Sequence, residues 1–168
     1  MMCMMYLSAI IWIMAMTLPA LADLLTPDDI PTPAVLLQAR RNAQWRAWVA
    51  ETYGLLTGAE VAEVLGSTAS NRAAVASRLA SQRTIFGVPH KGNRVLYPAF
   101  QFRADGSIVP VIAEALAILA PLGYGGFELL SWFTSANPVL DGASPADRLD
   151  DVDDVLAAAR DEIAPVGF

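Results

Sequence analysis

Thr57-Gly58-Ala59-Glu60-Val61-Ala62-Glu63-Val64-Leu65-Gly66, then Ser67-Thr68-Ala69-Ser70, then Asn71-Arg72-Ala73-Ala74-Val75-Ala76-Ser77-Arg78-Leu79-Ala80, is the stretch that decides the fold. Thr57 and Glu60 have the spacing of a capping box, in which hydroxyl and carboxylate each satisfy a free backbone N–H at a helix start. Val61, Val64 and Leu65 then form an apolar stripe, and Gly66 ends the segment after about two turns. The polar cluster 67–70 reads as a turn, and the alanine-rich run after it has strong helix propensity. The sum is helix, turn, helix. At 100° per residue Val75 and Leu79 point inward, while Ala73, Ser77, Ala80 and Ser81 point outward with Arg78 at the flank and Arg72 leaning toward the apolar side. Small outward residues let a helix backbone approach a groove closely, with arginine reaching bases or phosphates.

Downstream, Ile85-Phe86-Gly87-Val88 and Arg94-Val95-Leu96-Tyr97 are β-prone runs joined by Pro89-His90-Lys91-Gly92-Asn93, which predicts a hairpin. Its tip carries His90, Lys91 and Arg94. One reading is a wing laid along a phosphate backbone, the other an ordinary solvated basic loop. The expected DNA-contacting residues are therefore Asn71, Arg72, Ser77, Arg78, Arg83, His90, Lys91 and Arg94. With the Tyr97-Pro98 that closes the hairpin, residues 56–100 resemble the MerR-like and excisionase-like winged helix families, in which a helix-turn-helix runs directly into a short basic wing; the turn before Asn71 is longer than in the tightest versions.

Upstream, Thr32 can cap a helix opened by Pro33 and closed by Gly54, with Leu37, Trp45, Trp48 and Val49 supplying apolar contacts. The tryptophans read as packing residues or, alternatively, as base-stacking ones. Residues 23–32, rich in Pro, Asp and Thr, read as a linker. Residues 1–22 carry no charge and end in Ala20-Leu21-Ala22, similar to a secretory signal without its positive n-region. Three readings stay open: a reading frame begun early with Met16 as the start, a cleaved signal, or an anchor. A DNA-binding body favours the cytoplasm and makes a membrane role unlikely; an exported or anchored protein is the alternative.

The net charge of −6 conceals two opposite halves. Residues 33–103 hold nine cations against three carboxylates, while residues 104–168 hold eleven carboxylates against two arginines. A polyanion suits the first surface and something not anionic the second. Cys3 and His90 are the lone cysteine and histidine, which removes a disulfide framework, a Cys/His metal site and a histidine triad. There is no phosphate-cradling glycine loop, so neither an enzyme nor a cofactor is expected.

In the acidic half, Pro110 opens an apolar helix through Ile112, Leu116 and Leu119, the glycine-rich 121–126 breaks it, and a short helix follows over 127–133. A last helix is expected over 152–163. Asp150, Asp151, Asp153 and Asp154 lack the pattern of an EF-hand and more simply complement that helix's positive end. Trp132, Thr134, Asn137, Pro138, Leu140, Gly142, Pro145, Asp147 and Leu149 resemble the toxin-binding C-terminal domain of Xre/MbcA/ParS-type antitoxins, departing at Asp141, where that family usually has glycine. The resemblance implies a partner-binding surface built on Trp132, Asn137, Pro138, Leu140, Gly142, Pro145, Asp147 and Leu149, and a RES-domain, NAD-consuming toxin as partner. On spacing alone the same residues could simply connect two helices.

The expected protein is mainly α: a winged helix-turn-helix over 33–103 and a compact helical module over 104–168. The expected function is a DNA-binding antitoxin and autoregulator, a homodimer or higher oligomer on duplex operator DNA. The alternatives are a stand-alone regulator whose acidic module only dimerises, or an exported non-enzymatic protein.

Overall fold

The computed structural model describes residues 32–164. Residues 1–22 and nearly all of the 23–32 linker lie outside the described residues. The chain divides into a unit through Arg46 and a second from Ala47 onward. Helix α1 (Pro33–Tyr53) runs through that division. Its start is as expected, with the Val35 N–H donating to the Thr32 hydroxyl at 3.4 Å. Val49 is buried, but Leu37 and Trp48 are about half exposed, so the apolar contacts expected of them are only partly made.

The unit from Ala47 is mainly helical with a small three-stranded antiparallel sheet. Strand β1 (Leu55–Thr57) leads into α2 (Gly58–Val64) and α3 (Arg72–Ser81); β2 (Val88–His90) and β3 (Arg94–Pro98) follow, in sheet order β1-β3-β2. Both halves of the capping box form: Glu60 N–H donates to the Thr57 hydroxyl at 3.3 Å, and Thr57 N–H to the Glu60 carboxylate at 2.7 Å. Those bonds hold the Glu60 carboxyl below its ordinary pKa, the backbone bond from Thr57 contributing most. Gly66 ends α2 in the left-handed region, φ 63°. Val61, Ala76, Ile85 and Tyr97 form a buried cluster, with Leu56, Leu65, Leu79 and Ala80 packed around it.

Three expectations are corrected. The first strand of the hairpin starts at Val88 rather than Ile85, and His90 pairs with Arg94 inside the ladder instead of sitting in the loop. Leu55–Thr57 adds a strand that the sequence did not suggest, since three residues become a strand only by pairing with β3. Val64, expected on the apolar stripe, is 37% exposed, and Ala62 is buried in its stead.

Helices α4 (Pro110–Leu119), α5 (Gly126–Thr134) and α6 (Val152–Ile163) complete the unit, with α4 and α6 packed together. Both segments that the charge pattern divides at residue 103 contribute to one core. Phe86 stacks on Phe133 at 5.4 Å between centroids with planes 11° apart, and Phe100 lies 5.6 Å from Phe133. Such offset and tilted pairs add about 0.5–1.5 kcal/mol beyond the area they bury. The backbones approach closely as well: a Cβ on Gly126 would collide with the Gly87 carbonyl oxygen, so any other residue at the start of α5 would push the two segments apart.

Candidate nucleic-acid interface

Helix α3 turns Val75 and Ala76 into the core and leaves Arg72, Ala73, Ala74, Ser77, Arg78 and Ser81 exposed. Ala80, expected outside, is half-buried against the Val61–Ile85 cluster, because the covered face is wider than the Val75–Leu79 stripe. Arg72, which leaned toward the apolar side, stands in solvent as the first residue of the helix. Asn71 is the N-cap: its side-chain oxygen accepts from the Ala74 N–H at 3.3 Å, which commits that oxygen to starting the helix.

The two short helices meet closely at their N-terminal ends. A Cβ on Gly58 would lie 3.2 Å from Ala73 Cα and 3.3 Å from the Ala73 carbonyl, tighter than ordinary contact. A groove of about 360 Å³ lies beside this approach, bounded by Thr57, Gly58 and Ala59, by Ala73 and Ser77 of α3, and by residues 93–97 of the hairpin. Ser77 and Arg94, far apart in sequence, thus border one depression whose lining holds no carboxylate among the described residues.

At the hairpin tip His90, Lys91 and Arg94 are all exposed. Gly92 and Asn93 take left-handed φ values of 71° and 55°. The Arg94 Nε donates to the Lys91 carbonyl at 3.3 Å, bracing the guanidinium against the turn. Arg83 is elsewhere. It follows the last turn of α3 with a left-handed φ of 56° and lines a different cleft, with Leu116, Leu119 and Tyr124.

Of the eight residues expected to bind a protein partner, three are buried and three, Pro138, Gly142 and Asp147, are exposed. Trp132 is 8% exposed, Leu140 2%, and Pro145 is buried. Asn137 folds its own turn, its side-chain oxygen accepting from Val139 N–H at 2.9 Å and its carbonyl from Gly142 N–H at 2.9 Å. Asp141, where the resembled pattern has glycine, adopts φ 56°, followed by Gly142 at 84°, so the left-handed turn survives the substitution. Asp147 accepts from the Ser144 hydroxyl at 2.7 Å and from the Tyr53 hydroxyl at 3.1 Å. Leu149 is half-buried; Pro138, Val139 and Gly142 face solvent. The indole N–H of Trp132 is buried without a hydrogen-bond partner among the described residues.

Sequence reasoning missed Gln101. Its fully buried carboxamide accepts from Phe86 N–H at 2.8 Å and donates to the carbonyls of Phe86 at 3.0 Å and Pro98 at 3.1 Å. A glutamine between aromatic residues carries no local sign of such a role.

No family model matches the chain, and no curated protein matches it. Among solved structures, the NMR structure of Rv2175c superposes with a TM-score of 0.57 at 22% identity, covering 67% of this chain and 83% of that one. The fold is shared. At that identity the similarity speaks for architecture alone.

Proposed function

We propose that this chain is a non-enzymatic regulator that binds duplex DNA, using α2 and α3 as a helix-turn-helix and the β2–β3 hairpin as its wing. The single observation that supports this most is the groove shared by Ser77 of α3 and Arg94 of the hairpin, without carboxylates in its lining. Arg72 and Arg78 flank the small outward face of α3, and Lys91 and His90 extend the cationic edge along the hairpin. Small side chains admit the helix to a major groove, and the flanking cations neutralise phosphates on either side. Arg83 is left out of this footprint.

The acidic module contributes to the core of the reading head, since Phe133 packs against Phe86 and Phe100. Sequestration of a RES-type toxin rests on the resemblance alone, with Pro138, Gly142 and Asp147 as the exposed residues of that motif. Assembly as a two-fold dimer on a palindromic operator is the usual arrangement for such heads.

The deciding experiment is selection of duplexes from a random pool, followed by anisotropy titration over a range of salt. The proposal requires an affinity falling steeply with salt and a recovered motif. Salt-independent binding, or no binding at low salt, would overturn it. Co-expression with the neighbouring gene product tests the partner separately.

A further inference from the structure

The cleft lined by Arg83 has no part in the DNA-binding proposal. Its volume is about 330 Å³, near the lower end of small-molecule sites, which begin at ~300 Å³. Ala80, Ile85 and Phe86 face Leu116, Leu119 and Leu129 across it. Ile85 and Leu119 are each 1% exposed, so the floor is sheltered and apolar, while Arg83 is exposed at the rim. No carboxylate lines the cleft, and Arg83 has no ion pair among the described residues. Tyr124, the other polar side chain, donates its hydroxyl to Glu162 at 2.7 Å. Glu162 and Glu128 line a second depression that Tyr124 also borders. Tyr124 thus borders both a cleft whose one charged side chain among the described residues is Arg83 and a depression that holds two carboxylates.

We propose that this cleft binds a small amphiphilic carboxylate, its head group paired with Arg83 and its hydrocarbon body laid between Phe86 and the leucines of α4 and α5. A guanidinium presents a planar fork that matches a carboxylate with two parallel hydrogen bonds, and the left-handed backbone at Arg83 sets that fork at the end of α3. The apolar walls contribute roughly 25 cal/mol per Å² of hydrocarbon that they cover. Occupancy also has a consequence for the reading head. Ala80, at the end of α3, and residues 85–87, ahead of β2, both line the cleft, and the proposal extends to a ligand that biases the angle between helix and wing. That coupling, unlike the binding itself, rests on the DNA-binding proposal.

The test is a titration of the ¹⁵N-labelled full chain with octanoate, with octanol and octyltrimethylammonium as uncharged and oppositely charged controls. The expected result is amide shifts at Gly87, Gly123 and Gly126, with octanoate bound about tenfold more tightly than octanol, the worth of one charge-assisted pair. Arg83→Gln, on an exposed side chain, should remove that preference, and Arg83→Lys should restore part of it. Equal binding of octanoate and octanol, shifts clustered elsewhere, or indifference to Arg83→Gln would overturn the site. In a second arm octanoate should change duplex affinity at least threefold in the parent chain and not in Arg83→Gln. Binding without that change overturns the coupling only; absence of any duplex binding defeats the DNA proposal and leaves the cleft standing.

Discussion

The side chain of Gln101 pairs with Phe86 as a neighbouring strand would, accepting from its N–H at 2.8 Å and donating to its carbonyl at 3.0 Å. Both backbone groups are buried, and no strand is available to satisfy them. Gln101→Leu keeps the bulk and strands both, at about 1–3 kcal/mol for each unsatisfied group. Urea unfolding should register a loss of roughly 2–6 kcal/mol. A loss below ~0.5 kcal/mol would mean that water reaches Phe86, contrary to its burial.

Asn71 and Arg78 should separate cleanly. Asn71→Ala removes a helix cap and should lower stability by ~1 kcal/mol. Arg78→Ala, on an exposed side chain, should leave the thermal midpoint in place while weakening duplex binding. Lys91→Ala should do the same, each reducing the salt slope by about one. Paired melting curves and anisotropy titrations check this.

Tyr53 predicts an alkaline effect. Burial is the largest cause that raises its phenol pKa above the ordinary 10.0; Asp147 adds to the rise, and the bond with Ser144 opposes it. The folded state therefore holds the phenolic proton more tightly than the unfolded one. The corresponding stability is intact below pH 10 and declines as pH rises from there through the folded pKa. Tyr53→Phe should be less stable than the parent at pH 8 and should lose less between pH 9 and 11. Parallel curves for the two proteins would contradict the assignment.

Gly126→Ala should destabilise, although alanine is normally the better helix residue by ~1 kcal/mol. The new methyl would press on the Gly87 carbonyl, and overpacking of that kind costs about 1–3 kcal/mol. Gly123→Ala provides a contrast, because a Cβ there meets nothing and only the left-handed φ of 66° opposes it.

Local chemistry was legible in the sequence; long-range chemistry was not. The Thr57–Glu60 box and the helix over 152–163 formed as expected, because capping and a 3.6-residue period are written within a few neighbouring positions. The hairpin began three residues late, since Ile85 and Phe86 were drawn into the core and the place of a strand beside Phe86 went to Gln101, fifteen positions away. The Asn137–Asp147 turn was recognisable by its residue types, but those types do not report which side chains face inward. Trp132, Leu140 and Pro145 did, and Asp147 was claimed by Tyr53. Of the eight residues expected at DNA, Arg83 stands apart from the α3–hairpin groove, with a left-handed backbone and a place in the cleft lined by Leu116 and Leu119 of α4.

The interleaved phenyl rings of residues 86, 100 and 133 make the basic and acidic stretches interdependent. Severing the polypeptide after Arg103 would leave two of those rings wet and the third on a separate peptide. A gene fragment encoding the basic portion by itself should yield a sticky, half-melted product, so the electrical seam in this chain is no place to cut it.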